Sequence, residues 1–359
     1  MLLLTDDFPP HTGGVARYLG QFAHFFRARI RVIAAPCEGS ETFDRSASYA
    51  ITRRDLYANA GWPRWWKAIL ILIQERKTYD TLVVSHVLPF GVAAHAARAL
   101  TFKPYIVIVH GMDVSMAKRN PWKKRLAGHV MRTAKLVVTN SKALEYEVRE
   151  EFGVKKTIVA YPCIDAIPNL SLKRRGNEGE VRFLTVSRLV PRKGHVRILE
   201  ALARLRDEGL SFSYTIVGDG PMAGAIRACA AKFDLVECVS FWPQATDQEL
   251  DRLYDQADVF VMPTVAGSVD REGFGLVYLE AAAHGVPSIA TDQPGVDEAV
   301  IDGKTGLLVK DGDIDALADA IRRLATDEVF RLNLGSAARG RAISAFTCDI
   351  QFGKLQSIL

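Results

Sequence analysis

The chain has few of the features that mark a disulfide scaffold, a zinc protein or a membrane-spanning protein. Its 359 residues hold five cysteines, Cys37, Cys163, Cys229, Cys238 and Cys348. None forms a CxxC pair or stands beside a histidine at zinc-finger spacing. Scattered cysteines in a chain of this length fit a reducing compartment, so neither a zinc site nor a disulfide framework is expected. No apolar run reaches the ~18 residues needed to cross a bilayer, and the most apolar stretch, 68–73, falls far short. The N-terminus shows no secretory signal. Three leucines are followed at once by Thr5, Asp6 and Asp7, the pattern of a first buried strand. Solenoid repeats and low-complexity tracts are absent. No G-x-G-x-x-G stands at a strand–helix junction, which argues against a nicotinamide dehydrogenase. These absences fit a globular protein with ordinary cores in a reducing, cytoplasmic compartment.

Charge is present, and it is unevenly spread. The whole chain carries +5, but residues 1–165 hold 24 Lys and Arg against 14 Asp and Glu, a net of +10. The remainder carries −5. A basic half suits an anionic membrane, a nucleic acid or a phosphorylated ligand, and equally a solvated basic surface.

Short apolar runs alternate with amphipathic segments along the chain. Runs at 1–4, 30–35, 81–85, 105–110, 136–140 and 157–161 are unalternating and rich in Val and Ile, as strands buried on both faces of a parallel sheet are. Helical patterns lie between them at 15–26, 64–76, 91–100, 122–132 and 142–152. The polar, glycine-containing stretch 166–180 interrupts the alternation and reads as a linker. Strands then recur at 182–187, 213–217, 239–241, 259–262, 287–291 and 306–309. Repeated βα units in both halves predict an α/β protein of two Rossmann-like, doubly wound domains. Ligands in such sheets lie at the carboxyl ends of strands, so the chemistry is sought in the loops that follow them.

Four such loops carry candidate residues. Gly13-Gly14, between the first strand and the first helix, is either a tight turn or a place where backbone amides approach a phosphate. His110-Gly111-Met112-Asp113 follows the strand at 105–109, as a ligand-facing histidine and aspartate or as structural groups. In Ser187-Arg188-Leu189-Val190-Pro191-Arg192-Lys193-Gly194, two cations, Arg188 and Lys193, leave a strand end and approach a helix start. That suits a diphosphate. The most specific stretch is Glu272-Gly273-Phe274-Gly275-Leu276-Val277-Tyr278-Leu279-Glu280. Its glycines open a helix whose free amides can point at an anion. Its two glutamates are placed to take the vicinal hydroxyls of a sugar.

Taken in order with Val217-Gly218-Asp219-Gly220-Pro221, these motifs resemble glycosyltransferase family 4 from about residue 6 to about residue 310. The resemblance implies a GT-B fold with a deep interdomain cleft. It implies transfer with retention of anomeric configuration, and no cofactor or metal beyond the nucleotide-diphosphate sugar itself. It divides the chain into an acceptor-binding domain, 1–165, and a donor-binding domain, 178–343. A last helix, 344–359, returns to the first domain. By position, Arg188 and Lys193 hold the donor diphosphate and Gly14 offers it an amide. Glu280 binds the ribose and Glu272 the donor sugar. Amides of Phe274, Gly275 and Leu276 contact sugar and phosphate, and His110 lies against the transferred sugar. Gly218 and Trp242 line the donor pocket. Trp242-Pro243 departs from the family pattern of an aliphatic followed by a small residue, which leaves the base unassigned. Gly13 and Asp113 fall to the acceptor side. Lys193→Ala is expected to abolish transfer with the fold intact.

Four of the five tryptophans, Trp62, Trp65, Trp66 and Trp122, lie in the basic half, and Lys118, Arg119, Lys123, Lys124 and Arg125 surround Trp122. Aromatics among Lys and Arg compose a membrane-surface element. The expected partners are therefore a nucleotide sugar, a lipid-linked or glycan acceptor and an anionic membrane, with no nucleic acid. The expected function is hexosyl transfer in cell-envelope polysaccharide or glycolipid synthesis, at the inner face of the plasma membrane, with mannose from GDP-mannose or a UDP-sugar as donor. The competing readings are a sugar-nucleotide epimerase of similar fold and a non-catalytic nucleotide-sugar-binding subunit. The basic, tryptophan-rich half argues against the first. The joint presence of Arg188, Lys193, Glu272 and Glu280 argues against the second.

Overall fold

A computed structural model describes residues 1–58, 61, 63–165, 167–168, 179–265, 267 and 272–359. Trp62 and most of the predicted linker lie outside the described residues. The chain divides into two compact units, Met1–Asp165 with Cys348–Leu359, and Ala166–Thr347.

The first unit is a seven-stranded sheet. Its strands are β1 (Leu2–Thr5), β2 (Arg31–Ala34), β3 (Ala50–Arg53), β4 (Leu82–Ser85), β5 (Tyr105–Val109), β6 (Leu136–Thr139) and β7 (Thr157–Val159), in the order β3-β2-β1-β4-β5-β6-β7. All six pairings are parallel. Both faces are covered, which is why the central strands read as unbroken apolar runs. Alternate residues serve opposite cores: Leu2 and Leu4 pack with Ile71 and Leu72, while Leu3 packs with Tyr18, Phe22 and Phe352. Phe352 comes from the C-terminal helix Cys348–Gly353 and is fully buried. With Leu355 it packs the chain's end into the core of this unit.

The second unit has β8 (Val181–Val186), β9 (Phe212–Val217), β10 (Val239–Trp242), β11 (Val259–Met262), β12 (Ser288–Thr291) and β13 (Gly306–Val309), ordered β10-β9-β8-β11-β12-β13. Each sheet therefore runs outward from its first strand, then reverses. The reversal falls between β1 and β4 in the first sheet and between β8 and β11 in the second. Such a reversal leaves a crevice beyond the strand ends, where doubly wound proteins bind ligands.

Several elements differ from expectation. Strand β3 and the helices Ser40–Ser46 and Met112–Lys118 were not predicted. The final helix is two helices, Glu328–Ala345 and Cys348–Gly353, so residues 344–347 stay with the second unit. The expected absence of disulfides is also corrected. Cys163 and Cys348 are bonded, with Cα atoms 5.0 Å apart across 185 residues of sequence. A pair so distant in the chain carries no spacing signal, and the two come together because the C-terminal helix docks beside the end of the first sheet. Among the described residues, no helix is long and apolar enough to cross a membrane.

Candidate active site

In the second unit, β8 delivers Ser187 and the exposed Arg188 at the switch point. A 3-10 turn over Pro191–Lys193 follows and ends at Gly194, whose φ of 73° opens the helix His195–Asp207. Only glycine fits there, because a Cβ would sit 2.2 Å from the Pro263 carbonyl oxygen after β11. This close approach of the two central strand ends turns Lys193 inward. Its ammonium, buried, meets Glu272 Oε2 at 2.5 Å, and Arg192 reaches the same oxygen at 2.8 Å.

The electrostatics follow from burial. Burial alone would raise the Glu272 carboxyl, but Lys193 and then Arg192 outweigh it and hold it down at about 2. Burial lowers the Lys193 ammonium, against the attraction of Glu272. His195, whose Nε2 lies 3.1 Å from Ser187 Oγ, is lowered to about 4 by burial and then by Lys193. The site thus gathers cations and one ionised carboxylate around a neutral imidazole. On this geometry Lys193→Ala carries a stability cost as well as the expected loss of transfer. Removing one partner of a buried ion pair costs about 3–5 kcal/mol, lessened here because Arg192 stays on Glu272.

The other donor-side residues fall in the same unit. Gly275, at φ 85°, precedes the helix Leu276–Ala283, whose first N–H groups have no intrahelical acceptor. Phe274 is buried, and its ring lies tilted against that of Phe346 with centroids 5.7 Å apart. Glu280 accepts from Tyr254 Oη at 2.8 Å. Gly218, at φ 124°, donates its N–H to the carbonyl of Trp242, whose side chain is 38% exposed at the end of β10.

The first unit holds the remaining four predicted residues. Gly13 and Gly14 are exposed, and a Cβ on either would meet nothing within 4 Å. The φ of 151° accounts for glycine at 13. At position 14 neither a positive φ nor a close neighbour requires glycine. His110 Nε2 lies 3.0 Å from Ser85 Oγ, and burial, then the neighbouring His86, lowers its pKa well below the ordinary value. Asp113 is buried. Its oxygens accept the N–H groups of Val87, His110 and Gly111, so it ties the end of β5 to the segment after β4 and positions His110.

Sequence reasoning missed Arg192, His195, Asp6, Tyr57 and His86. Arg192 stood within a motif already read and His195 directly after it, and burial set both apart. Asp6 and His86 end β1 and β4, a place that gains meaning only once the strand order is known. Among the described residues, one trio of metal-ligating type, Cys163, Asp165 and Cys348, has its ligand atoms within 4.8 Å of one another, and the disulfide takes two of the three.

Two doubly wound domains, the second with cations, a carboxylate and a helix N-terminus at its switch point, define the GT-B glycosyltransferase architecture. Comparison with known proteins agrees. Residues 12–166 match the family model for Glycosyltransferase Family 4, and residues 168–341 match that for Glycosyl transferases group 1. The chain belongs to glycosyltransferase family 4 and is a hexosyltransferase. It is 29% identical to a GDP-mannose-dependent alpha-(1-6)-phosphatidylinositol monomannoside mannosyltransferase of Mycobacterium tuberculosis, over all of this chain and 97% of that one. A Corynebacterium glutamicum enzyme named for the monoacylated form of that acceptor is 28% identical over the same shares. Anabaena HepE, solved with UDP and glucose, superposes with a TM-score of 0.80 at 20% identity, covering 99% of this chain and 98% of that one.

Proposed function

We propose that this enzyme transfers mannose from GDP-mannose to a phosphatidylinositol-mannoside type of glycolipid, with retention, without a metal, and while bound peripherally to an anionic membrane on its cytoplasmic side. The observation that carries this reading is collinearity over the whole chain with relatives named for that donor and that acceptor class.

The geometry of the second unit supports the donor half. Arg188, Arg192 and Lys193, with the amides of Gly275 and Leu276, supply fixed positive charge and dipoles for a diphosphate. When the diphosphate binds, Lys193 exchanges Glu272 for a phosphate oxygen, and Glu272 turns to a hydroxyl of the mannose. Glu280 takes the ribose hydroxyls, and Gly218 and Trp242 flank the base. Gly14 offers its amide to the phosphate, and Gly13 lies on the acceptor side. The acceptor oxygen forms its bond to the anomeric carbon on the face from which the diphosphate leaves, and the acceptor proton passes to the departing phosphate oxygen. Such a step needs no nucleophilic carboxylate paired with a general acid. His110, kept neutral, rests against the transferred sugar without repelling the positive charge that develops there.

Thermal unfolding with GDP, UDP and ADP, each with and without EDTA, tests this reading, since a ligand of the folded state raises its melting temperature. Stabilisation by GDP above the other two, unchanged by EDTA, is expected. Stabilisation by UDP instead would replace the donor, and loss of the effect in EDTA would overturn the metal-free site.

A further inference from the structure

The switch point of the first sheet carries a group of side chains that the donor site does not use. Asp6 follows β1 and His86 follows β4, the two strands between which the order reverses. Tyr57 Oη donates to Asp6 Oδ2 at 2.9 Å. Asp6 Oδ1 stands 3.9 Å from His86 Nδ1, too far for a direct bond and close enough for one hydroxyl to bridge. Ser85 Oγ lies 3.2 Å from that same Nδ1 and 3.0 Å from His110 Nε2, and the two imidazole rings are 5.3 Å apart. The group is therefore continuous with His110.

His86 holds φ 70° and ψ 131°, a conformation that residues with a side chain avoid. Three contacts impose it. Its own N–H donates to the Ile108 carbonyl, its carbonyl accepts from Gly91, and the next amide, Val87, donates to Asp113. Asp6 and His86 both stay partly exposed, at 36% and 25% of their side chains. Buried ion-pair chemistry of the kind at Lys193 and Glu272 is absent here. No Lys or Arg pairs with Asp6 among the described residues, so an anionic group would meet an unneutralised carboxylate. A neutral polyol meets an acceptor pair, a phenol and an imidazole that can both donate and accept.

We infer that Asp6, Tyr57 and His86 form a polyol site that binds adjacent hydroxyls of the acceptor's sugar or inositol ring and sets the attacking hydroxyl beside His110. This inference rests on the transfer reading above, and it adds the ring-recognition site that the donor residues leave unspecified.

The test follows the imidazole signals of the full-length protein by NMR, with and without GDP, during titration with methyl α-D-mannopyranoside and with myo-inositol. The His86 signal is assigned by its loss in His86→Asn, since asparagine tolerates positive φ. Saturable movement of the His86 signal by at least one polyol is expected, with binding weakened about tenfold or more in Asp6→Asn, as for loss of a charge-assisted hydrogen bond. Tyr57→Phe, which keeps the ring, gives a smaller loss, and both variants should melt as the wild type does. No saturable movement with either polyol, or movement that persists unchanged in Asp6→Asn, would overturn the inference. Failure of GDP to stabilise the protein would count against the donor reading alone, because the polyol titration is scored without it.

Discussion

At the scale of single residues, the second unit stores its charge in a buried cluster, and this makes stability depend on pH. His195 is 3% exposed, and its folded pKa is about 4. An unfolded histidine titrates near ~6.5, so between these values the unfolded chain holds a proton that the folded one does not. Stability is full above the upper value and falls as pH drops toward the lower one, by about 3 kcal/mol in all. Glu272 has the carboxylate form of the same dependence, with loss confined to the window from its unfolded value down to about 2. His110 acts in the histidine direction within the other unit. Comparing wild type with His195→Gln by thermal unfolding from neutral to mildly acidic pH isolates the His195 contribution. The wild type should lose stability on acidification and the variant should lose less. Parallel pH profiles would remove His195 as a cause. The burial was not legible in the sequence, which marked Lys193 as a diphosphate ligand and gave Arg192 no role. Their meaning depends on burial, and burial depends on Gly194 admitting the Pro263 carbonyl.

At the scale of elements, legibility followed apolar content. Strands such as Tyr105–Val109, buried at every position, declared themselves as runs. Strand Ala50–Arg53 is an edge strand with no buried residue, so its sequence never needed an apolar pattern. The helix Ser40–Ser46 has Phe43 as its sole large apolar side chain, too little for a periodicity. The helix Met112–Lys118 was hidden because it turns Met112 and Met116 outward, at 47% and 53% exposed. Next to it, Asn120 accepts from the amides of Trp122 and Lys123 and starts the helix Pro121–Thr133. This cap holds Trp122, 64% exposed, in the first turn of the helix. Arg119, Lys123 and Arg125 are exposed nearby, and no ion pair involves them among the described residues. Apolar side chains held outward among free cations are suited to a headgroup layer. Binding to anionic vesicles that weakens with salt is expected, with a further marked loss in Trp122→Ser combined with Lys123→Glu. Sedimentation of the protein independent of salt and of these changes would sink the membrane assignment. Trp65, by contrast, packs against the core and belongs to the fold.

At the scale of the molecule, the two switch points carry opposite chemistry. One presents cations around a carboxylate, and the other a carboxylate with imidazoles and a phenol. This contrast separates the units more sharply than their net charges do. The strand order shared by both sheets could not be read from the chain, since apolar runs reveal strands but not neighbours. The motifs nevertheless fell at strand ends, and that was enough to assign residues to each unit.

The bond between Cys163 and Cys348 makes the second unit a guest in the chain of the first. The polypeptide leaves its host after Asp165 and returns at Cys348, and the covalent bridge spans the doorway. A protease cut anywhere in the guest therefore leaves both fragments on one molecule while the bridge is oxidised. Nicked protein should run as a single band on a denaturing gel without reductant and as two bands with it. Two bands in both lanes would show that the cysteines are thiols. In the oxidised protein, a broken chain keeps the strands of its host and its C-terminal Phe352 on one covalent thread, so the first unit outlives damage to the second.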